Sequence, residues 1–146
     1  MSNDLIRIIL VDDHSLARES WKSLLELDPR FEVVALCDNG LTAIETAQKL
    51  LPDIMLVDIN MSPVNGFSVT EKVMRSNPEI KIIGLSVNNQ SYYVHKMLEL
   101  GAKGYLTKTS PLEEVLHGII QVFEGKQYIC KEIKMNMPTQ QNNVGE

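Results

Sequence analysis

Cysteine is scarce in this chain: its two residues, Cys37 and Cys130, lie far apart and form no C-x-x-C pair. That argues against a thiolate metal centre and a disulfide framework, and suits reduced core or surface positions. Long apolar runs are missing too. The longest, Val33 to Cys37, falls far short of the roughly 18 residues a membrane-spanning helix needs, and the N-terminus lacks a signal peptide's charged-then-apolar layout. A cytoplasmic chain without membrane contact is expected. Nor is there a cluster of basic residues. With a net charge of -5 and a pI near 5.2, bulk electrostatic binding to nucleic acid is disfavoured, because phosphate contacts need clustered Lys and Arg.

What is present suits one packed domain: 146 residues, 44% hydrophobic and 23% charged, enough for a single core. Five apolar segments recur at Leu5, Phe31, Asp53, Ile80 and Gly104, roughly 20 to 27 residues apart. Most are nearly continuous rather than alternating, as expected for parallel strands covered by helices on both faces. The intervening stretches carry helical periodicity, as in Ala17, Trp21, Leu24 and Leu25, or Leu112, Val115, Leu116 and Ile119. Pro29, Pro52 and Pro78 fall between helical stretches and strands, and Gly101 and Gly125 suit helix ends. At the fifth helix, Ser110 is expected to cap, with Pro111 at the first helical position and Glu113 completing a capping box. The polar PTQQNNVGE ending has little to bury. The expected division is therefore a domain over 1–133 and a tail or linker over 134–146.

Parallel strands joined by right-handed crossovers bring their carboxyl ends to one sheet edge, where ligands bind. The residues at the strand exits are Asp12 and Asp13 after the first, Asp58 after the third, Ser86 after the fourth and Lys108 after the fifth. In a flavodoxin-like order 2-1-3-4-5, neighbouring first and third strands would bring three carboxylates together. Such a cluster repels itself and favours a hard cation; an all-oxygen site suits Mg²⁺, with a phosphoryl group bridging the ion to Lys108. Taken singly, each residue is ordinary: an Asp after a strand is usually a turn or cap residue, and a lone Lys a surface cation. Their joint placement at one edge carries the inference.

The motifs LVDDH, VDINMSPVNG, LSV and GAKGYLTK closely resemble those of response regulator receiver domains of two-component systems, across about Leu5 to Tyr128. The resemblance implies an α/β fold, a flavodoxin-like (βα)5 doubly wound parallel sheet. It implies that Asp58 is the phosphoacceptor, that Asp12, Asp13, Asp58 and the Asn60 main-chain carbonyl hold Mg²⁺, and that Ser86 and Lys108 contact the phosphoryl oxygens. Asn60 and Asn88 would tune dephosphorylation, and Tyr105 would turn inward as Ser86 moves toward the phosphoryl group. This would remodel the surface of the fourth helix, fifth strand and fifth helix. The implied donor is a phosphohistidine on a histidine kinase or phosphotransfer protein, and the chain would be a phosphoacceptor regulator rather than an enzyme.

His14 after the acidic pair and VFEGKQYI after the last helix resemble the subfamily with a C-terminal helix-turn-helix domain of LuxR type. DNA would then be contacted only through an output domain outside this chain, with a homodimer as a further partner; the alternative is a stand-alone receiver acting by protein contact. Three departures from the family pattern stand out: Ser62 replaces a common proline, leaving Pro63 next to it, Ser86 replaces Thr, and Val87 a small Ala.

A haloacid-dehalogenase-type phosphatase is the main competing class, but Asp58-Ile59-Asn60 lacks its second acid. A flavin binder would need hydroxyls and glycines where Asp12 and Asp13 stand. His14, His95 and His117 show no metal-ligand spacing, and Trp21 and Met97 read as core.

Overall fold

In the computed structural model, which describes residues 5–87 and 90–136, the apolar segments become strands β1 (Ile6–Val11), β2 (Phe31–Cys37), β3 (Ile54–Asp58), β4 (Lys81–Ser86) and β5 (Gly104–Thr107). Between and after them run α1 (Ser15–Leu25), α2 (Gly40–Leu50), α3 (Gly66–Ser76), α4 (Ser91–Glu99) and α5 (Leu112–Phe123). A short strand β6 (Tyr128–Ile129) and a helix α6 (Lys131–Asn136) complete the described chain. All strand pairs are parallel, in the order β2-β1-β3-β4-β5-β6. This is the expected flavodoxin-like order, extended by one strand.

The unbroken apolar runs are explained by burial. Ile8, Ile9, Leu10, Val11, Ile54, Met55, Leu56 and Val57 are all buried, because helices cover both faces of the central strands. Both cysteines are buried and free. No helix among the described residues is long and apolar enough to cross a membrane.

Local signals set several helix ends. Asn39 Oδ1 accepts from Thr42 N at 2.9 Å and Asn65 Oδ1 from Ser68 N at 3.0 Å, capping α2 and α3. Gly101 and Gly125 adopt φ of 111° and 95° after α4 and α5, the left-handed conformation that closes a helix.

Ser110 is a correction. Pro111, not Ser110, occupies the N-cap of α5, and no side chain caps it. The Ser110 hydroxyl turns inward and accepts from Thr107 N at 3.2 Å, serving the end of β5 instead.

Ile133, where the domain is expected to end, lies inside α6. Ile133 and Cys130 are buried, and Cys130 N donates to Tyr105 O at 3.0 Å. A two-residue strand leaves no periodic signature, so β6 was not legible. It also shifts the buried face of α5 to Val115, Gly118, Ile119 and Val122, with Gly118 under the Tyr128 ring. The end of the expected tail, residues 137–146, lies outside the described residues.

Candidate functional site

The register aligns the strand exits. Val11 lies beside Val57, Asp58 beside Leu85 and Ser86 beside Thr107, so Asp12, Asp58, Ser86 and Lys108 emerge at one edge. Backbone bonds fix the loops: Asp12 N donates to Cys37 O at 3.0 Å and Lys108 N to Ser86 O at 2.9 Å. Arg18 Nη1 reaches back from α1 to Asp12 O at 2.7 Å.

At the centre, Lys108 Nζ stands 2.9 Å from Asp12 Oδ2 and 3.2 Å from Asp58 Oδ2. Both carboxylates are buried and Asp13 beside them is exposed. Asp58 Oδ1 accepts from Asn60 N at 2.9 Å, and Asp12 Oδ1 accepts from His14 N at 2.9 Å. The Ser86 hydroxyl donates to Asn60 Oδ1 at 2.7 Å. One ammonium is thus shared by two buried carboxylates, with Asp13 a third in the same cluster, and the three acids outnumber it.

The two buried acids respond in opposite directions. Burial raises the Asp58 carboxyl above its ordinary range, reinforced by Asp12, and the Asn60 N–H and Lys108 offset only part of this. Burial also pushes Asp12 upward, but the Lys108 ammonium and the His14 N–H outweigh it and leave Asp12 below its ordinary value. Burial lowers Lys108, yet its two carboxylate partners carry it above the usual lysine range.

A divalent cation fits this donor set. Asp12 Oδ2 is buried and receives no aligned hydrogen bond, its ammonium neighbour being an ion-pair contact only. Oxygens of Asp12, Asp13 and Asp58, together with a His14 nitrogen, all lie within 4.8 Å of one another. Three carboxylates that one ammonium neutralises only in part suit a hard ion.

The loop after Asp58 holds the acceptor region against α3. A Cβ on Gly66 would stand 2.5 Å from Ile59 Cα and 2.8 Å from Asp58 O, so glycine alone permits this approach. The Ser62–Pro63 peptide is cis. Val87 is exposed at the exit of β4, while Asn88 lies outside the described residues.

A model of the response regulator receiver domain family matches residues 8–120. The chain belongs to the response regulator receiver family. It is 36% identical over 137 residues to the transcriptional regulatory protein DegU of Brevibacillus brevis, covering 94% of this chain and 58% of that protein. It is 34% identical over 133 residues to the response regulator GacA of Pseudomonas viridiflava, covering 91% of this chain and 62% of that one. The receiver therefore spans about three fifths of these curated relatives. Among solved structures, a LuxR-family two-component response regulator from Aurantimonas sp. SI85-9A1 superposes with a TM-score of 0.90 at 27% identity, covering 94% of this chain and 98% of that one. The receiver domain of the NarL regulator from Mycobacterium tuberculosis, described as putative in its structure, gives 0.81 at 28% identity, covering 85% and 100%. These likenesses identify a two-component receiver of the LuxR type.

Tyr105, the expected switch residue, faces inward and is fully buried in this structure. Space comes from Gly84, its register partner on β4, where a Cβ would lie 3.2 Å from the Tyr105 ring.

Burial pushes the Tyr105 phenol from 10.0 up to about 12, partly offset by its hydrogen bond with Ser86. The unfolded chain therefore ionises first: stability is fully present below pH 10 and is lost as pH rises toward 12. Urea titrations across that window should show a steep loss of stability. Tyr105→Phe should remove roughly 3 kcal/mol of its pH dependence; an unchanged slope would mean that Tyr105 titrates alike in both states.

Glu132 escaped notice in the sequence. Its Oε1 accepts from Thr107 Oγ1 at 2.8 Å and Thr109 Oγ1 at 3.0 Å, the residues flanking Lys108. Only the packing of α6 brings this carboxylate to the loop, and no local pattern announces it.

Proposed function

We propose that the receiver takes a phosphoryl group onto Asp58 from a phosphohistidine of a partner kinase or phosphotransfer protein, in the presence of Mg²⁺. The observation that carries this reading is the shared Lys108 ammonium, 2.9 Å from Asp12 and 3.2 Å from Asp58. An Asp58 carboxylate oxygen attacks phosphorus in line; the phosphorus–nitrogen bond of the donor breaks as the phosphorus–oxygen bond forms, and the imidazole leaves with the electron pair. Lys108 exchanges its Asp58 contact for a phosphoryl oxygen, and the Ser86 hydroxyl moves from Asn60 to another. Asp12, Asp13, Asp58 and the Asn60 carbonyl would hold Mg²⁺, which supplies charge neutralisation between the carboxylate and the incoming group.

The receiver consumes one phosphoryl group per molecule and is not a turnover catalyst. The side chains of Asn60 and Asn88 set how long the acyl phosphate lasts. The departure of Ser86 from Asn60 alters its contact with Tyr105, and the resulting change reaches α4, β5 and α5. DegU is named as a transcriptional regulatory protein, and the analogous role here is control of transcription through an attached DNA-binding domain, by way of a homodimer. A cytoplasmic setting follows from that role.

Incubation with a small phosphodonor should add one phosphoryl mass in a Mg²⁺-dependent way, and hydroxylamine should remove it, as expected of an acyl phosphate. Label that resists hydroxylamine, or that maps by peptide mass to a hydroxyl residue, would sink the assignment.

A further inference from the structure

The sequence gives His14 no metal-ligand spacing, but the fold puts its ring at the acidic cluster. His14 Nδ1 lies 3.2 Å from Asp12 Oδ1 and 3.1 Å from Asp13 Oδ1. Two donor atoms each about 2.1 Å from one cation stand about 3.0 Å apart when adjacent in an octahedron. The observed separations are close to the edges of such an octahedron. A nitrogen and two carboxylate oxygens therefore stand at spacings that one coordination sphere can accept.

Neither helix capping nor core packing accounts for the ring. His14 is the N-cap residue of α1, but its side chain makes no capping hydrogen bond. The side chain is 71% exposed, so it fills no core. Among the described residues, its ring has polar contacts only with these two carboxylates. Asp12 Oδ2, buried on the same carboxylate, receives no aligned hydrogen bond.

We propose that His14 is a nitrogen ligand that makes this a mixed nitrogen and oxygen site, selecting borderline divalent transition ions over Mg²⁺. Imidazole suits Mn²⁺ poorly to moderately and Ni²⁺ well, following the usual order of divalent affinities, whereas Mg²⁺ gains little from nitrogen. The preference over Mg²⁺ therefore rises from Mn²⁺ to Ni²⁺ and depends on one exposed ring. The inference rests on the reading of Asp12, Asp13 and Asp58 as a divalent-ion site.

The test is calorimetric titration of the receiver and of His14→Phe with Mg²⁺, Mn²⁺ and Ni²⁺ separately, together with pulsed electron spin resonance of the Mn²⁺-loaded protein. The variant should lose roughly tenfold or more in Ni²⁺ affinity, a scale that even outer-shell partners command. It should lose less for Mn²⁺ and almost nothing for Mg²⁺, and the modulation from a directly bound imidazole nitrogen should vanish. Equal losses for all three ions, or no nitrogen modulation in the native protein, would overturn the His14 assignment while leaving the Mg²⁺ site intact. Failure of the native protein to bind any of the ions would overturn the acidic site itself. Far-UV circular dichroism of the variant should match the native protein, because the ring packs against no core.

Discussion

Asp58→Asn should abolish phosphoryl uptake and, at the same time, stabilise the free protein. The first effect follows from the loss of the attacking carboxylate; Asn60 and Asp53 offer no substitute, one being an amide and the other bonded to Arg7 N at the far end of β3. The second follows from burial. The folded state holds the Asp58 carboxyl above its ordinary value of 3.8, with burial the largest cause and Asp12 adding to it. For a raised carboxylate, the stabilising contribution is fully present below the unfolded value and is lost as pH rises through the folded one. At neutral pH the ionised Asp58 therefore costs stability, and the amide removes that cost while Lys108 keeps its 2.9 Å contact with Asp12. Thermal unfolding in the absence of divalent ions should show the variant melting higher at pH 7, with the gap closing toward pH 4. Mg²⁺ should narrow it as well, by stabilising the native protein more. A variant that still gains phosphoryl mass, or that melts lower at neutral pH, would contradict this account of the site.

Gly66→Ala should be among the most damaging single-methyl additions. The new Cβ would meet backbone atoms, Ile59 Cα at 2.5 Å and Asp58 O at 2.8 Å, neither of which can swing aside as a side-chain tip does. Relief requires moving α3 or the loop that carries the acceptor. Overpacking of this kind costs about 3 kcal/mol or more, measurable as a fall in the urea midpoint. Any folded fraction should also take up phosphate slowly, because the Asp58 carbonyl and Ile59 must shift. Gly125→Ala is the contrast: it has φ of 95° but nothing within 4 Å of the added Cβ, so its penalty is the backbone conformation alone, about 1 kcal/mol. Similar losses at both positions would show that the close approach at Gly66 is not what matters.

The sheet order and the acceptor edge were legible because they rest on short-range regularities. Continuous apolar runs such as Ile54 to Val57 mark strands covered on both faces, and parallel connectivity then sends Asp12, Asp58, Ser86 and Lys108 to the same edge. Other features depend on which atoms approach across the fold. The Ser110 hydroxyl serves Thr107 N rather than α5, a choice between two partners equally near in sequence. Tyr105 is inward because Gly84 on the adjacent strand leaves room for its ring. Glu132 reaches the residues flanking Lys108 through a helix whose preceding strand is too short to leave a pattern.

By itself, then, the sequence determined the alternation of strands and helices, the acid cluster and its lysine, and the identity of the acceptor candidate. Periodicity and strand-exit position are encoded locally, and the direction of parallel strands does the rest. Tertiary structure alone decided that one ammonium is shared between Asp12 and Asp58, that burial wins at Asp58 while Lys108 and the His14 N–H outweigh it at Asp12, and that His14 turns its ring nitrogen to the carboxylates. Each of these depends on desolvation and on distances between residues far apart in the chain, or on a side-chain rotation that spacing does not record.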